Sequence, residues 1–334
     1  MALRTIVRRV ALRSNPLQQS RWLSSSSAIS GSVEDPESFS TPLRRSVLYM
    51  PASNERALAK IPQIAADGFI MDLEDAVAPE NKPLARDMAV EAAARHRQDV
   101  ACQHKELIIR INDRTTEWHM DDVQAVAKSK AHAMLVPKVE RASDMQELIE
   151  RAKAAGAPSD MEYWCMIETP LGVLNTAEIA ASHESVGCLV VGTVDLANEV
   201  HSLPSAPGRW NMIYALNKIV ICARAYQKTV LDGVYIDVND EQGFMLECRQ
   251  GRELGFDGKT LIHPKTVGPA NMAFSPSAAE IEHAHEVVQA HLDATSQGDG
   301  VATLHGKLVE ALHVKDALRV ISLAKHIEAE TASN

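Results

Sequence analysis

The chain has 334 residues, 46% of them hydrophobic and 23% charged, with a formal net charge of −10. That length and composition suit one large α/β domain with a tail, and they argue against disorder as the starting point. No run approaches the roughly 20 apolar residues needed to cross a bilayer, so no membrane partner is expected.

The first acidic residue is Glu34; before it come Arg4, Arg8, Arg9, Arg13 and Arg21, many serines and no lysine. An acid-free, Arg- and Ser-rich start reads as an organellar transit peptide over residues 1–33, with a disordered basic arm as the alternative. Without those five positive charges the net charge becomes about −15, and nucleic acid is not expected as a partner. The cysteines, Cys102, Cys165, Cys188, Cys222 and Cys248, show no CxxC spacing and read as reduced core residues, without a zinc site or disulfide frame.

Residues 34–43 read as a linker. Beyond it, short β-branched runs alternate with stretches of helical period. Strands are predicted near Ser46–Met50, Gly68–Asp72, Leu107–Ile111, Met134–Val136, Tyr163–Ile167, Cys188–Val191, Val230–Tyr235 and Thr260–Ile262. Helical patterns lie at about 54–65, 83–97, 117–130, 142–155, 171–182, 210–226, 243–254, 277–294 and 307–329. This order favours a closed (β/α)8 TIM barrel over residues 44–294, followed by a hinge and helical lid over 295–334. The rival is an open doubly wound sheet, but no GxGxxG follows the first strand.

Polar residues gather at the strand ends, the edge where such a barrel builds its active site. Glu168 and Asp195 end strands five and six, and two neighbouring anions there call for a cation. Hard oxygen ligands suit Mg2+, which takes much of its shell from water and substrate. Asp72, Glu74 and Asp75 would hold metal-bound waters, or else cap a helix and pair with Arg86 and Lys82. Arg110 faces them from strand three and could bind a substrate carboxylate through both prongs of its guanidinium, unless it serves a structural ion pair. Lys138 raises a Schiff base, which a metal site makes redundant. Amides around Gly172, at the start of a helix, could receive an anion. His263 beside Pro264 is either a substrate contact or a structural anchor.

The segments RSVLYMPASNERALAK and GFIMDLEDAVAPENKPLAR within residues 45–86, Arg110–Asn112, VPKVE at 136–140, IETPLGVLNTAEIA at 167–180, GTVDLANEV at 192–200 and GFDGKTLIHP at 255–264 together resemble the citrate lyase β-subunit-like family. Within this family of the HpcH/HpaI aldolase superfamily, they look most like malyl-CoA and citramalyl-CoA lyases. The resemblance implies Mg2+ at Glu168 and Asp195, a substrate-binding Arg110, and CoA contacts at Tyr49, Arg56, Lys60, Ile262 and His263. It also implies a homotrimer or hexamer in which the tail covers a neighbour's site. Two departures stand out. The usual Pro-Gly turn after strand one is Pro51-Ala52, and the lid's usual catalytic Asp is matched by Glu310.

The resulting expectation is a mitochondrial-matrix lyase that cleaves citramalyl-CoA to pyruvate and acetyl-CoA, with malyl-CoA, cleaved to glyoxylate and acetyl-CoA, as a further candidate substrate. The alternatives are a metal-dependent aldolase acting on free keto acids and a non-catalytic CoA-ester-binding homologue.

Overall fold

The computed structural model describes residues 42–202, 208–298 and 301–332. The transit-peptide reading of residues 1–33, and residues 34–41 of the linker, lie outside them. Eight parallel strands close into a barrel: β1 (Ser46–Pro51), β2 (Gly68–Asp72), β3 (Glu106–Arg110), β4 (Ala133–Val136), β5 (Glu162–Ile167), β6 (Val186–Val191), β7 (Thr229–Asp232) and β8 (Gly258–Leu261). Each strand pairs with the next, and β1 closes on β8 through Ser46–Lys259, Val47–Thr260 and Leu48–Leu261. The fold expected from the alternating apolar runs is therefore present.

Helices cover the outside: α1 (Glu55–Leu58), α2 (Lys82–Arg97), α3 (His119–Ala127), α4 (Ala142–Ala155), α5 (Pro170–Leu174), α6 (Thr176–Ala180), α7 (Thr193–Glu199), α8 (Ile213–Ala225), α9 (Glu241–Leu254) and α10 (Val267–Phe274). The strands are short and almost wholly apolar because both faces are covered. One face, with Phe69, Met71, Leu107, Ile109, Met134 and Leu189, packs beneath the helices against residues such as Ala89, Val126, Ile149, Ile219 and Phe244. The other fills the barrel with Val47, Ile70, Ile108, Leu135, Trp164, Met166, Cys188, Val190 and Leu231. Each such side chain contributes about 1.5–3 kcal/mol on full burial. Below Trp164 the barrel has a charged floor. The Arg44 guanidinium lies 4.6 Å over the indole ring and donates to Glu106 at 2.6 and 2.8 Å and to Glu162 at 2.6 Å.

Beyond shifts of a few residues at element ends, three expected elements are broken or cut short. Strand seven stops at Asp232, short of Tyr235, because the Asp232 carboxylate is captured by Lys259 (3.0 Å), Arg209 (2.7 Å) and the Gly233 amide (2.8 Å). The helix expected over 54–65 shortens to α1, and Pro62 sits in a separate 3-10 turn over Ile61–Gln63. The helix expected over 171–182 breaks at Asn175, between α5 and α6.

The tail departs further. After α11 (Ala278–Gln297), the stretch read as a flexible hinge contains an antiparallel hairpin, β9 (Ala302–Leu304) and β10 (Lys307–Val309), before α12 (Ala311–Ala332). Its two-residue turn, His305-Gly306, has positive φ at both positions (50° and 75°), as a type I′ turn requires. Residues 307–309, expected to be helical, are therefore strand. Contacts divide the described chain into a unit of residues 42–281 with 323–332 and a unit of residues 282–322. The expected division between 294 and 295 thus falls earlier, within α11. The smaller unit has its own core of Ala284, Val287 and Val288, the hairpin's Ala302 and Val309, and Val314, Ala317 and Ile321.

Candidate active site at the barrel mouth

Glu168 directly follows the last residue of β5 and is 1% exposed. Its Oε1 accepts the Lys138 amide at 2.8 Å, while its Oε2 is buried without a hydrogen-bond partner. Burial, reinforced by the charge of Asp195, raises its pKa from 4.5 to about 7, and the Lys138 amide and Arg110 only partly oppose the rise. Gly192, just after β6, makes room for this carboxylate. A Cβ there would lie 2.5 Å from the Glu168 Cβ and collide with Oε2. Asp195 lies in the first turn of α7, partly exposed and beyond the end of β6, so it reaches the mouth from a helix rather than from the strand end expected for it.

A buried carboxylate with an unpartnered oxygen beside a second carboxylate is costly as it stands. The donor set, two hard oxygen ligands open to further oxygens, fits a small divalent cation. Lys138 reinforces this reading. It sits in the left-handed region (φ 49°), which turns its amide toward Glu168. Burial alone would lower its pKa, but Glu74, Asp113, Glu168 and Asp195 outweigh burial and hold the ammonium above its usual value. An exposed, protonated lysine is a poor Schiff-base nucleophile.

Arg110 ends β3 and is 6% exposed. Its Nε and Nη2 each donate to Asp72 at 2.6 Å, its Nη1 donates to Asp75 at 3.2 Å, and Glu74 lies 2.9 Å from Nη1. The Tyr49 ring stacks 5.1 Å from the guanidinium carbon. The two-pronged edge expected to receive a substrate carboxylate is therefore engaged by Asp72, because the register sets Asp72 beside Arg110 on adjacent strands. Asp72 in turn accepts the Glu74 and Ala76 amides at 2.9 and 3.0 Å. Its oxygens are committed to holding the arginine and the loop, so it is a positioning residue rather than a holder of metal-bound water. The pairing that the sequence suggested with Arg86 goes elsewhere: Arg86 binds Asp122 at 2.6 Å, and Lys82 donates to the Leu73 and Glu74 carbonyls. Burial raises Glu74 to about 8 against the pull of Arg110, with Asp75, Glu168 and Asp72 adding to the rise.

Tyr49 points into the barrel, where its hydroxyl contacts the Met166 sulfur at 3.7 Å; burial raises its pKa. Arg56 and Lys60 are exposed on α1 and just after it. Ile262 and His263 are exposed after β8, the strand paired with β1, so these four residues occupy one sector of the rim. His263 Nδ1 accepts the Lys265 amide at 3.2 Å, which anchors the ring at the turn after β8. Ala52 replaces the usual glycine without strain, since its amide continues the ladder to the Asp72 carbonyl at 3.0 Å. Gly172 does not offer a free amide. Thr169 caps it at 3.0 Å, and a Cβ there would stand 2.6 Å from the Val139 carbonyl, so the glycine permits close packing. Glu310 precedes α12, its amide donating to His313 Nδ1 at 2.9 Å.

Sequence reasoning missed two features. The left-handed Lys138 amide that anchors Glu168 leaves no trace in residue type. Nor did the pattern reveal the Asp232–Lys259 pair behind β7 and β8, fully buried and joined by Arg209 and Glu247. A lysine inside an apolar strand was the available signal.

The comparisons agree with this architecture. A (3S)-malyl-CoA thioesterase from Cereibacter sphaeroides is 46% identical over 289 residues, which cover 86% of this chain and 97% of that protein. The citrate lyase subunit beta of Escherichia coli is 32% identical over 290 residues, covering 85% and 94%. Among solved structures, CitE from Mycobacterium tuberculosis in complex with magnesium, acetoacetate and coenzyme A superposes with a TM-score of 0.68 at 28% identity, covering 84% of this chain and 97% of that one. Residues 45–264 match the family model described as HpcH/HpaI aldolase/citrate lyase, so the chain belongs to that family of enzymes.

Proposed function

We propose that this protein is a Mg2+-dependent carbon–carbon lyase that cleaves citramalyl-CoA to pyruvate and acetyl-CoA by a retro-Claisen reaction, and malyl-CoA to glyoxylate and acetyl-CoA as a lesser activity. The observation that carries the reading is the unpartnered Glu168 Oε2, buried beside Asp195 at the mouth of a barrel whose solved relative holds magnesium and coenzyme A. Held by Glu168 and Asp195, the cation would supply Lewis-acid polarisation of the substrate's hydroxyl and adjacent carboxylate.

The chain's own groups do the rest. Arg110, its fork fixed by Asp72, acts through its buried positive charge and its remaining N–H groups, stabilising negative charge as the bond breaks. Glu310 is the group proposed to deliver the enolate proton, or to act as base, from the lid of a neighbouring chain in a homotrimer or hexamer. Its longer side chain does the work of the family's aspartate. Arg56 and Lys60 offer charge for the coenzyme's phosphates, and Ile262 and His263 complete that rim. The Arg- and Ser-rich start supports a mitochondrial-matrix location, and this compartment is the reason for preferring citramalyl-CoA. One methyl group separates the two substrates, worth only about 1–3 kcal/mol in a pocket.

A second reading, thioester hydrolysis, is favoured by the 46% identical relative named a thioesterase. One assay separates them. Purified protein is incubated with each CoA ester, with Mg2+ and then with EDTA, while keto acid, acetyl-CoA and free thiol are followed. The lyase reading expects equimolar keto acid and acetyl-CoA, lost with EDTA. Free CoA without keto acid would establish hydrolysis instead, and no acetyl-CoA from either ester sinks the lyase.

A further inference from the structure

At the opposite end of the barrel from Glu168, α2 finishes at Arg97 and a 3-10 turn over Val100–Cys102 leads into β3. Here the sequence His96-Arg97-Gln98-Asp99-Val100-Ala101-Cys102 brings an imidazole, a carboxylate and a thiol together. The three potential ligand atoms all lie within 4.8 Å of one another. The Cys102 sulfur stands 3.8 Å from His96 Nδ1. With zinc–sulfur and zinc–nitrogen bonds of about 2.3 and 2.0–2.1 Å, a tetrahedral ion would separate those atoms by about 3.6 Å. The pair is therefore already spaced to share a metal.

A second observation concerns the far side of the imidazole. His96 Nε2 lies 3.0 Å from the Leu58 carbonyl, which can only accept, so Nε2 carries the hydrogen and Nδ1 presents its lone pair toward Cys102. That outer hydrogen bond to a carbonyl is the arrangement that orients metal-binding histidines. Asp99 is partly exposed, and its Oδ1 caps the Ala101 amide at 3.0 Å, which holds the carboxylate over the turn. Lys105 does not compete for it through hydrogen bonds, because its ammonium donates to the Ile61, Pro62 and Ile64 carbonyls.

We propose that His96, Asp99 and Cys102 form a binding site for a thiophilic divalent cation of the zinc class, separate from the oxygen-ligand site at the mouth. Coordination takes Nδ1, one carboxylate oxygen and the thiolate, with water as the fourth ligand, and releases the Cys102 thiol proton to solvent. The ion ties the end of α2 to the turn that enters β3. It acts on stability and sits away from the chemistry, at the face of a barrel that serves stability.

Cobalt reports directly on this assignment. Metal-free, reduced protein is saturated with Mg2+ and titrated with Co2+, and a thiolate-to-cobalt charge-transfer band in the near-ultraviolet is followed. The expected result is one equivalent of cobalt giving the band, bleached by one equivalent of Zn2+, and retained in Glu168→Gln. Cys102→Ser should abolish the band. Asp99→Asn, a change at a partly exposed side chain that leaves the fold intact, should weaken Co2+ binding about tenfold or more. No band in the wild type, a band surviving Cys102→Ser, or unchanged affinity in Asp99→Asn would each overturn the proposal. In the first case the His96–Cys102 contact is a simple S–H···N hydrogen bond.

Discussion

Replacing Glu168 by glutamine separates what the carboxylate costs from what it does. Raising a carboxyl from 4.5 to about 7 corresponds to about 3 kcal/mol. Because the folded-state pKa lies above the unfolded value, the metal-free protein loses stability as pH rises from about 4.5, and the full penalty is present once pH exceeds about 7. Glutamine is never charged and keeps an acceptor for the Lys138 amide. In EDTA at pH 8, Glu168→Gln should therefore be more stable than the wild type by up to about 3 kcal/mol, or roughly 5–10 °C in Tm for a domain of this size. At pH 5 the difference should shrink to under about 1 kcal/mol. Adding Mg2+ should reverse the order, since the wild type gains binding energy that the amide cannot supply. Thermal melts at pH 5 and pH 8, with EDTA and with Mg2+, make the measurement. A variant less stable than the wild type at pH 8 in EDTA, or one stabilised by Mg2+ as much as the wild type, would refute the reasoning.

Gly192→Ala should displace Glu168 by about 1 Å to restore ordinary contact distances; isothermal titration should show Mg2+ affinity reduced about tenfold or more, with the fold retained. Arg110→Lys cannot span both Asp72 oxygens and leaves a buried carboxylate partly unpaired, so a denaturant melt should show a loss of about 3 kcal/mol and turnover should fall at saturating substrate. Asp232→Asn removes one of the two carboxylates that hold the fully buried Lys259, leaving Glu247 at 2.7 Å, and should cost up to about 3–5 kcal/mol at pH 7. The folded-state pKa of Asp232 is lowered by Lys259 and Arg209 against the effect of burial, so its contribution is present above the unfolded pKa and lost as pH falls through the folded one. The difference between variant and wild type in melts should shrink on acidification.

Much of this architecture was legible in residue order. Eight apolar runs became eight barrel strands because parallel strands buried on both faces need no alternation, and polar residues, Lys259 and Thr260 of β8 apart, then gathered mainly at the strand ends. Glu168 was identifiable on that ground. What remained hidden depends on geometry across elements. The side chain of Asp72 looked like an acid at the rim until the strand register set it against Arg110. The tail read as hinge and helix because His305-Gly306 can serve a linker or a tight hairpin turn equally well, and only the pairing of Ala302–Leu304 with Lys307–Val309 decides. His96, Asp99 and Cys102 carry no paired-cysteine signal, because the spacing there combines three residue types across a helix end.

The charged floor also constrains traffic. With Arg44 clamped between Glu106 and Glu162 beneath Trp164, the barrel has one door. Whatever reaches Glu168 enters by the mouth and must leave the same way. Under the proposed cleavage, the fragment held near Arg110 and Glu168 would sit behind the one at the rim beside Arg56 and Lys60. Departure would then become a queue, with the coenzyme-bearing piece first and the small acid after it, and the reverse condensation would load in the opposite order.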